Sequence, residues 1–253
     1  MKLLVGLCLV LAAFGTEAKV QHKNTIPTFS AKSFIVASED GHILKEKDSD
    51  IVRPIASISK LMVTLLASEQ DMSEELAIPT KRTVQSIIPP GTKNMPRRQL
   101  MTLALVRSDN FAAQILCENL HECIDKMNEK AHELGMLHTS YQEPTGLSKE
   151  NVSTATDLLK LLLVATQNPI LSEISSMPQA EIPVNNRIVK FNNTNPLTRK
   201  LNVILSKTGF TNPAGGCLVM VANTALGKRI YVLLGSKNAH TRIPDMEKLV
   251  WNN

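Results

Sequence analysis

Ser57-Ile58-Ser59-Lys60-Leu61-Met62-Val63-Thr64-Leu65 sets a serine and a lysine three residues apart where an apolar helical pattern begins. Ile58, Leu61, Met62 and Leu65 recur at i, i+3, i+4 and i+7, which predicts a helix starting near Ser57 with this stripe toward the core. Residues three apart lie on one face, so Ser57 and Lys60 stand together, away from that stripe, with an amine beside a hydroxyl. A serine at a helix tip also sits where unpaired N–H groups and the helix dipole favour a developing oxyanion. The combination suits acyl transfer by a serine that an amine deprotonates.

Outward from this stretch the chain changes character twice. Before it, residues 34–37 and 42–44 are β-prone on either side of Asp40-Gly41, a turn dipeptide whose positive φ angles suit a hairpin. After it, residues 100–116 and 124–134 carry apolar residues at helical spacing, and Thr154-Ala155-Thr156-Asp157 reads as a capping box opening a helix over 158–164. Strand character returns over 203–206, 217–222 and 229–234, in the manner of an antiparallel meander, and a last helix is expected near 245–251. This order predicts an α/β fold: an antiparallel sheet of about five strands, joined from both ends of the chain and covered by helices, plus an inserted helical region. With no repeat, low-complexity tract or linker, residues 19–253 read as a single catalytic domain. Its sheet region is expected in 19–56 and 180–253, and its helical region in 57–179.

Two further motifs bear on the chemistry, Ser108-Asp109-Asn110 and Lys207-Thr208-Gly209. At average residue usage about one S-x-x-K arises by chance per 250 residues, whereas K-T-G arises roughly once in several thousand. S-x-N is also common, and a second copy stands at Ser236-Lys237-Asn238. Placement carries more than any single match: one motif opens an amphipathic helix, one joins two helical stretches, and one ends an apolar strand. The same three-motif set marks serine β-lactamases and penicillin-binding proteins. A lysine is a base only when neutral, and burial together with a second cation, Lys207, lowers its pKa. Lys60 is then expected to take the proton of Ser57, while Lys207 stays charged to hold a substrate carboxylate and steady Ser108. Ser108 relays the proton to the leaving amine, and Asn110 offers a donor and an acceptor to a peptide amide. Gly209 lets an extended peptide approach closely enough to add as a strand. The backbone N–H groups of Ser57 and Phe210 are expected to form the oxyanion hole.

The first 18 residues differ from the rest: a basic start at Lys2, an apolar run from Leu3 to Phe14, and small residues at Thr16 and Ala18, the pattern of a secretory signal peptide. The run is shorter than the roughly 20 residues that span a bilayer. A net charge of +5 is mild. It suits an anionic polymer, although a solvated exterior accounts for it more simply. Aromatic content of 4% and the lack of an arginine-rich block argue against nucleic acid. Three of the four cysteines lie beyond residue 18; Cys117 and Cys123 flank a short helix connection and are either bridged or free, and Cys217 reads as a buried strand residue. His132-Glu133 with His138 lacks the spacing of an H-E-x-x-H zinc site, so no metal or other cofactor is called for.

Around the motifs stand Arg53-Pro54-Ile55-Ala56, Glu143-Pro144-Thr145-Gly146-Leu147, Asn193-Thr194-Asn195-Pro196-Leu197 and the run from Lys207 to Met220. Across essentially all of the mature chain these resemble the low-molecular-mass penicillin-binding proteins, the serine D-alanyl-D-alanine peptidases, and most of all the penicillin-binding protein 7 type D,D-endopeptidases. The resemblance implies a serine β-lactamase/D,D-peptidase-like fold and catalytic roles for Ser57, Lys60 and Ser108. It places Asn110, Lys207 and Thr208 against substrate, without a cofactor. It implies peptidoglycan stem peptides as substrates, β-lactams as covalent inhibitors, and periplasmic location after export. Only 44 residues follow Gly209, so the extra β-domain and membrane anchor of larger carboxypeptidases are not expected. Ser59 stands where the family often has Thr, and the compact stretch from Asp71 to Pro96 is expected to alter the rim of the cleft. D-alanyl-D-alanine carboxypeptidase action is the alternative to cutting cross-links. A β-lactamase needs a deacylating carboxylate for which Glu143, in a turn setting, is a poor candidate, and a non-catalytic wall-binding protein would not need every motif residue intact.

Overall fold

A computed structural model describes residues 28–251; the expected signal peptide lies outside the described residues. In chain order the strands are β1 (Ser33–Ser38), β2 (Ile43–Lys47), β3 (Arg53–Pro54), β4 (Glu75–Ala77), β5 (Asn94–Pro96), β6 (Val152–Ser153), β7 (Gln179–Val184), β8 (Arg187–Asn192), β9 (Asn202–Thr211), β10 (Gly215–Thr224) and β11 (Gly227–Ser236). The helices are α1 (Lys60–Ala67), α2 (Arg97–Thr102), α3 (Asn110–Glu118), α4 (Cys123–Glu133), α5 (Ala155–Ala165), α6 (Pro169–Ser176) and α7 (Arg242–Trp251).

The five-stranded sheet runs β2-β1-β11-β10-β9, with all neighbours antiparallel, so both ends of the chain meet in it as expected. Its central strands are apolar at nearly every position because both faces are covered. Ile35, Val219, Val221, Val232 and Leu234 point into the larger core with α1 and α5, while Phe34, Val36, Leu218, Met220 and Leu233 point the other way onto Met246 and Leu249 of α7. Burying both faces turns the usual period-two pattern of an antiparallel strand into an unbroken apolar run.

Several expectations change in detail. In the β1–β2 turn only Gly41 has positive φ, at +87°. Gly41 N donates to Ser38 O and Ser38 N to His42 O, a three-residue turn with a bulge, and Asp40 instead accepts from Ser38 Oγ and His42 N. Helix α1 shows no polar face: all eight residues from Lys60 to Ala67 are buried, so the stripe seen in the sequence is one of several packed sides. The apolar span 100–116 breaks in the middle. A π-helical segment, Leu103–Arg107, ends at Ser108, whose φ of +62° turns the chain before α3 begins. Thr154 does cap α5, accepting from Asp157 N at 3.0 Å, but the Asp157 carboxylate faces His138 N, Thr139 and Lys160 rather than closing a reciprocal box. Residues 179–192 form a separate hairpin, β7–β8, with Asn185 and Asn186 both at positive φ, rather than adding to the large sheet. Cys117 and Cys123 are joined by a disulfide, and Cys217 is buried and free.

Candidate active site

Ser57 is presented by a 3-10 turn, Ala56–Ser59, whose first residue has φ +47° despite carrying a side chain. Such a conformation costs on the order of 1 kcal/mol or more and persists only where the surroundings fix it. Here two glycines let other backbone segments press on the turn. A Cβ at Gly146, itself at φ +80°, would fall 1.8 Å from Ala56 O and 2.8 Å from Ser57 N. A Cβ at Gly209 of β9 would fall 3.0 Å from both Ile55 O and Ser57 N. The reason expected for Gly209, room for a peptide, is thereby corrected: the space left by its missing side chain is filled by the protein's own turn.

Glu143 organises the loop that carries Gly146. Its carboxylate accepts from Thr145 N at 2.7 Å, Gly146 N at 2.6 Å, Ser148 N at 3.2 Å and Thr145 Oγ1 at 2.5 Å. Fully buried Asn151 ties this loop to the serine turn, donating from Nδ2 to Glu143 O and Ser59 Oγ and accepting Ile55 N at its backbone oxygen. Ser59 donates in turn to Ala56 O at 2.9 Å, a bond that either Ser or Thr can make at that place. The loop so fixed points Thr145 O at Lys60.

Lys60 has no exposed surface. Its Nζ lies 2.9 Å from Ser57 Oγ, 2.7 Å from Asn110 Oδ1 and 2.6 Å from Thr145 O. Burial pushes its ammonium down to about 7, against the opposing pull of Glu143 and Asp109. A neutral amine has two hydrogens and one lone pair. Asn110 Oδ1 and the Thr145 carbonyl take the hydrogens, and the lone pair is left for the Ser57 hydroxyl.

Lys207 is 1% exposed and reaches the same space from β9, with Nζ 2.8 Å from Ser108 Oγ and 2.9 Å from Thr208 O. Burial first, then repulsion from Lys60 and Arg242, drives it well below the ordinary lysine range. Two amines buried in one cleft oppose each other's protonation. The expected permanent charge on Lys207 is therefore conditional, because its present partners are a hydroxyl and a carbonyl; an arriving carboxylate would supply the missing counter-charge. Thr208 Oγ1 donates to Thr194 Oγ1 at 2.7 Å, Arg242 Nη1 donates to Gly209 O at 2.9 Å, and Phe210 is 42% exposed beside them.

Asp109 fixes the middle motif by capping α3 through Ala112 N and by accepting Ser86 Oγ and Ile87 N from the irregular segment 78–93. That segment, within the compact stretch noted in the sequence, becomes a wall of the cleft. The second S-x-N serves another purpose: Ser236 Oγ donates to Asp245, and Asn238 Oδ1 accepts the His240 and Thr241 amides ahead of α7. Ser57, Lys60, Ser108, Asn110 and Lys207 thus converge from three separate parts of the chain, and Thr208, Gly209 and Phe210 continue the edge of β9.

Residues 18–238 match the family model described as D-alanyl-D-alanine carboxypeptidase, peptidase family S11. The chain belongs to this family. It is 38% identical to a D-alanyl-D-alanine endopeptidase of Pseudomonas aeruginosa over 87% of this chain and 76% of that one. With a D-alanyl-D-alanine endopeptidase of Escherichia coli it shares 35% identity over 87% of this chain and 76% of the relative. A penicillin-binding protein of Listeria monocytogenes, in its ampicillin-bound form, superposes with a TM-score of 0.78 at 30% identity, covering 87% of this chain and 96% of that one. Within this peptidase the supporting residues Thr145, Asn151, Thr194 and Arg242 were not legible as site residues. Gly146 stands in a short stretch rich in turn formers that was read from the sequence as a turn, a signal that could have marked the close backbone approach.

Proposed function

We propose that this D,D-peptidase hydrolyses D-alanyl peptide bonds of peptidoglycan stem peptides through an acyl-enzyme on Ser57, and that cross-links between stems are its substrate. The observation that carries the reading is the placement of the fully buried Lys60 amine 2.9 Å from Ser57 Oγ. Lys60 removes the Ser57 proton as Oγ attacks the D-alanyl carbonyl. The oxyanion forms at the N–H groups of Ser57 and Phe210. Ser108, bonded to Lys207, gives its proton to the leaving amine and is reprotonated from the lysine pair. Asn110 and the outer edge of β9 hold the acyl-side peptide in extended form. Water then repeats the sequence in reverse to release the acid. Glu143 spends its carboxylate on backbone amides rather than on Ser57, so a long-lived penicilloyl adduct fits this site better than rapid β-lactam turnover.

Export to the periplasm follows from the leader pattern in residues 1–18 and from the Cys117–Cys123 disulfide, which suits an oxidising compartment. Mass analysis of products from a cross-linked muropeptide dimer and from a pentapeptide monomer tests the substrate reading. The dimer is expected to be cut to monomers much faster than the pentapeptide loses its terminal D-alanine. Trimming of the pentapeptide with the dimer left intact would make the enzyme a carboxypeptidase.

A further inference from the structure

We infer that Arg107 is a specificity-determining residue on the leaving side of the cleft, where it receives a carboxylate of the stem peptide released by cross-link cleavage. The inference rests on the endopeptidase reading and extends it to the chemistry of the leaving group.

Arg107 closes the π-helical segment, immediately before Ser108. Its side chain is exposed and makes no ion pair or hydrogen bond among the described residues. It borders a cavity of about 300 Å³ together with Gln85, Ser86, Ile87, Ser108, Asp109 and Asn110. The adjacent carboxylate does not neutralise it. Asp109 uses Oδ1 for Ala112 N and Oδ2 for Ser86 Oγ and Ile87 N, at 2.9 to 3.0 Å. The opposite wall is held in place: Arg82 stacks on the Phe111 ring at 5.6 Å, and Thr83 Oγ1 donates to Gln114 Oε1 at 2.9 Å, both residues of α3. The cavity therefore has a fixed shape, one free guanidinium, and one free side-chain amide in Gln85.

The position of the cavity decides what enters it. Ser108 hands its proton to the leaving amine, so the chain attached to that amine passes Ser108 on its way out. A released D-alanine brings one carboxylate, which Lys207 is placed to meet. A released stem peptide brings at least one more. Guanidinium presents a fixed fork of donors that matches a carboxylate in bidentate fashion, and it keeps its charge at any working pH, unlike the buried lysines behind it.

The test compares kcat/KM for a cross-linked dimer with free carboxylates on the leaving stem and for the same dimer with those carboxylates amidated, sparing the one beside the scissile bond. The wild-type enzyme is expected to favour the free form about tenfold, one charge-assisted contact, chiefly through KM. Arg107→Gln should lose that preference and Arg107→Lys should keep part of it, since charge survives but the fork does not. A wild-type enzyme that cuts both dimers equally well, or an Arg107→Gln variant that slows both by the same factor, overturns the assignment. Cleavage of pentapeptide but of neither dimer would instead remove the endopeptidase reading and this subsite together.

Discussion

A buried lysine amine with three oxygen neighbours can exist in two forms, and here the neighbours choose between them. Two of the oxygens around Lys60 only accept, and the third carries the hydrogen that the reaction must remove. With its pKa held at about 7 by burial, the amine is neutral above that pH and protonated below it. The second-order rate constant for penicillin acylation should therefore climb with pH through an apparent pKa near 7, losing about tenfold per unit well below it. Stopped-flow acylation with a fluorescent penicillin between pH 5 and 9 gives the profile; a flat line across that range would contradict a lysine base. Folding carries the same sign. Between pH 7 and 10.5 the unfolded lysine holds a proton that the folded one has lost, so this group's contribution to stability rises with pH across that window. The identities of Ser57 and Lys60 were legible in the sequence because their spacing states a chemical relationship. Thr145 was not, because it acts through a backbone carbonyl that any residue possesses.

At the scale of elements, the site is a convergence of turns rather than a property of one helix. The serine turn, the Glu143–Ser148 loop and the end of β9 meet with little space to spare, and Gly146 is the tightest point. Gly146→Ala should drive a methyl into the Ala56 carbonyl at a positive φ, destabilising the fold by at least about 2 kcal/mol. It should cut penicillin labelling more than tenfold even where the protein remains folded. Thermal unfolding together with labelling checks both parts, and wild-type behaviour in the two would show that the turn is not held from that side. The sequence placed strands and helices well wherever one period dominated. It set Ser108 between two helical stretches but gave no sign of the positive φ that turns the chain there, because the apolar spacing of residues 100–116 continues across it. It also gave no sign of the β7–β8 hairpin as a separate unit. Strand pattern names a strand but not its partner.

Across the whole molecule, two apolar layers on either side of one sheet leave β9 as an edge strand against which the serine turn and α6 are packed. The sheet supplies Lys207 and the helical block supplies Ser57, Lys60, Ser108 and Asn110, so the cleft exists only when both regions are folded together. This division of labour was visible in the order of the motifs, and the stretch from Asp71 to Pro96 was expected at the cleft rim, but its conformation over residues 78–93 was not legible, since an irregular segment leaves no periodic trace. Every role assigned to the cleft requires one covalent event. Peptide mapping by mass spectrometry of protein incubated with benzylpenicillin is expected to find a single penicilloyl group, on Ser57, and none on the Ser57→Ala variant. An adduct on any other serine, or persistent labelling of that variant, would contradict it.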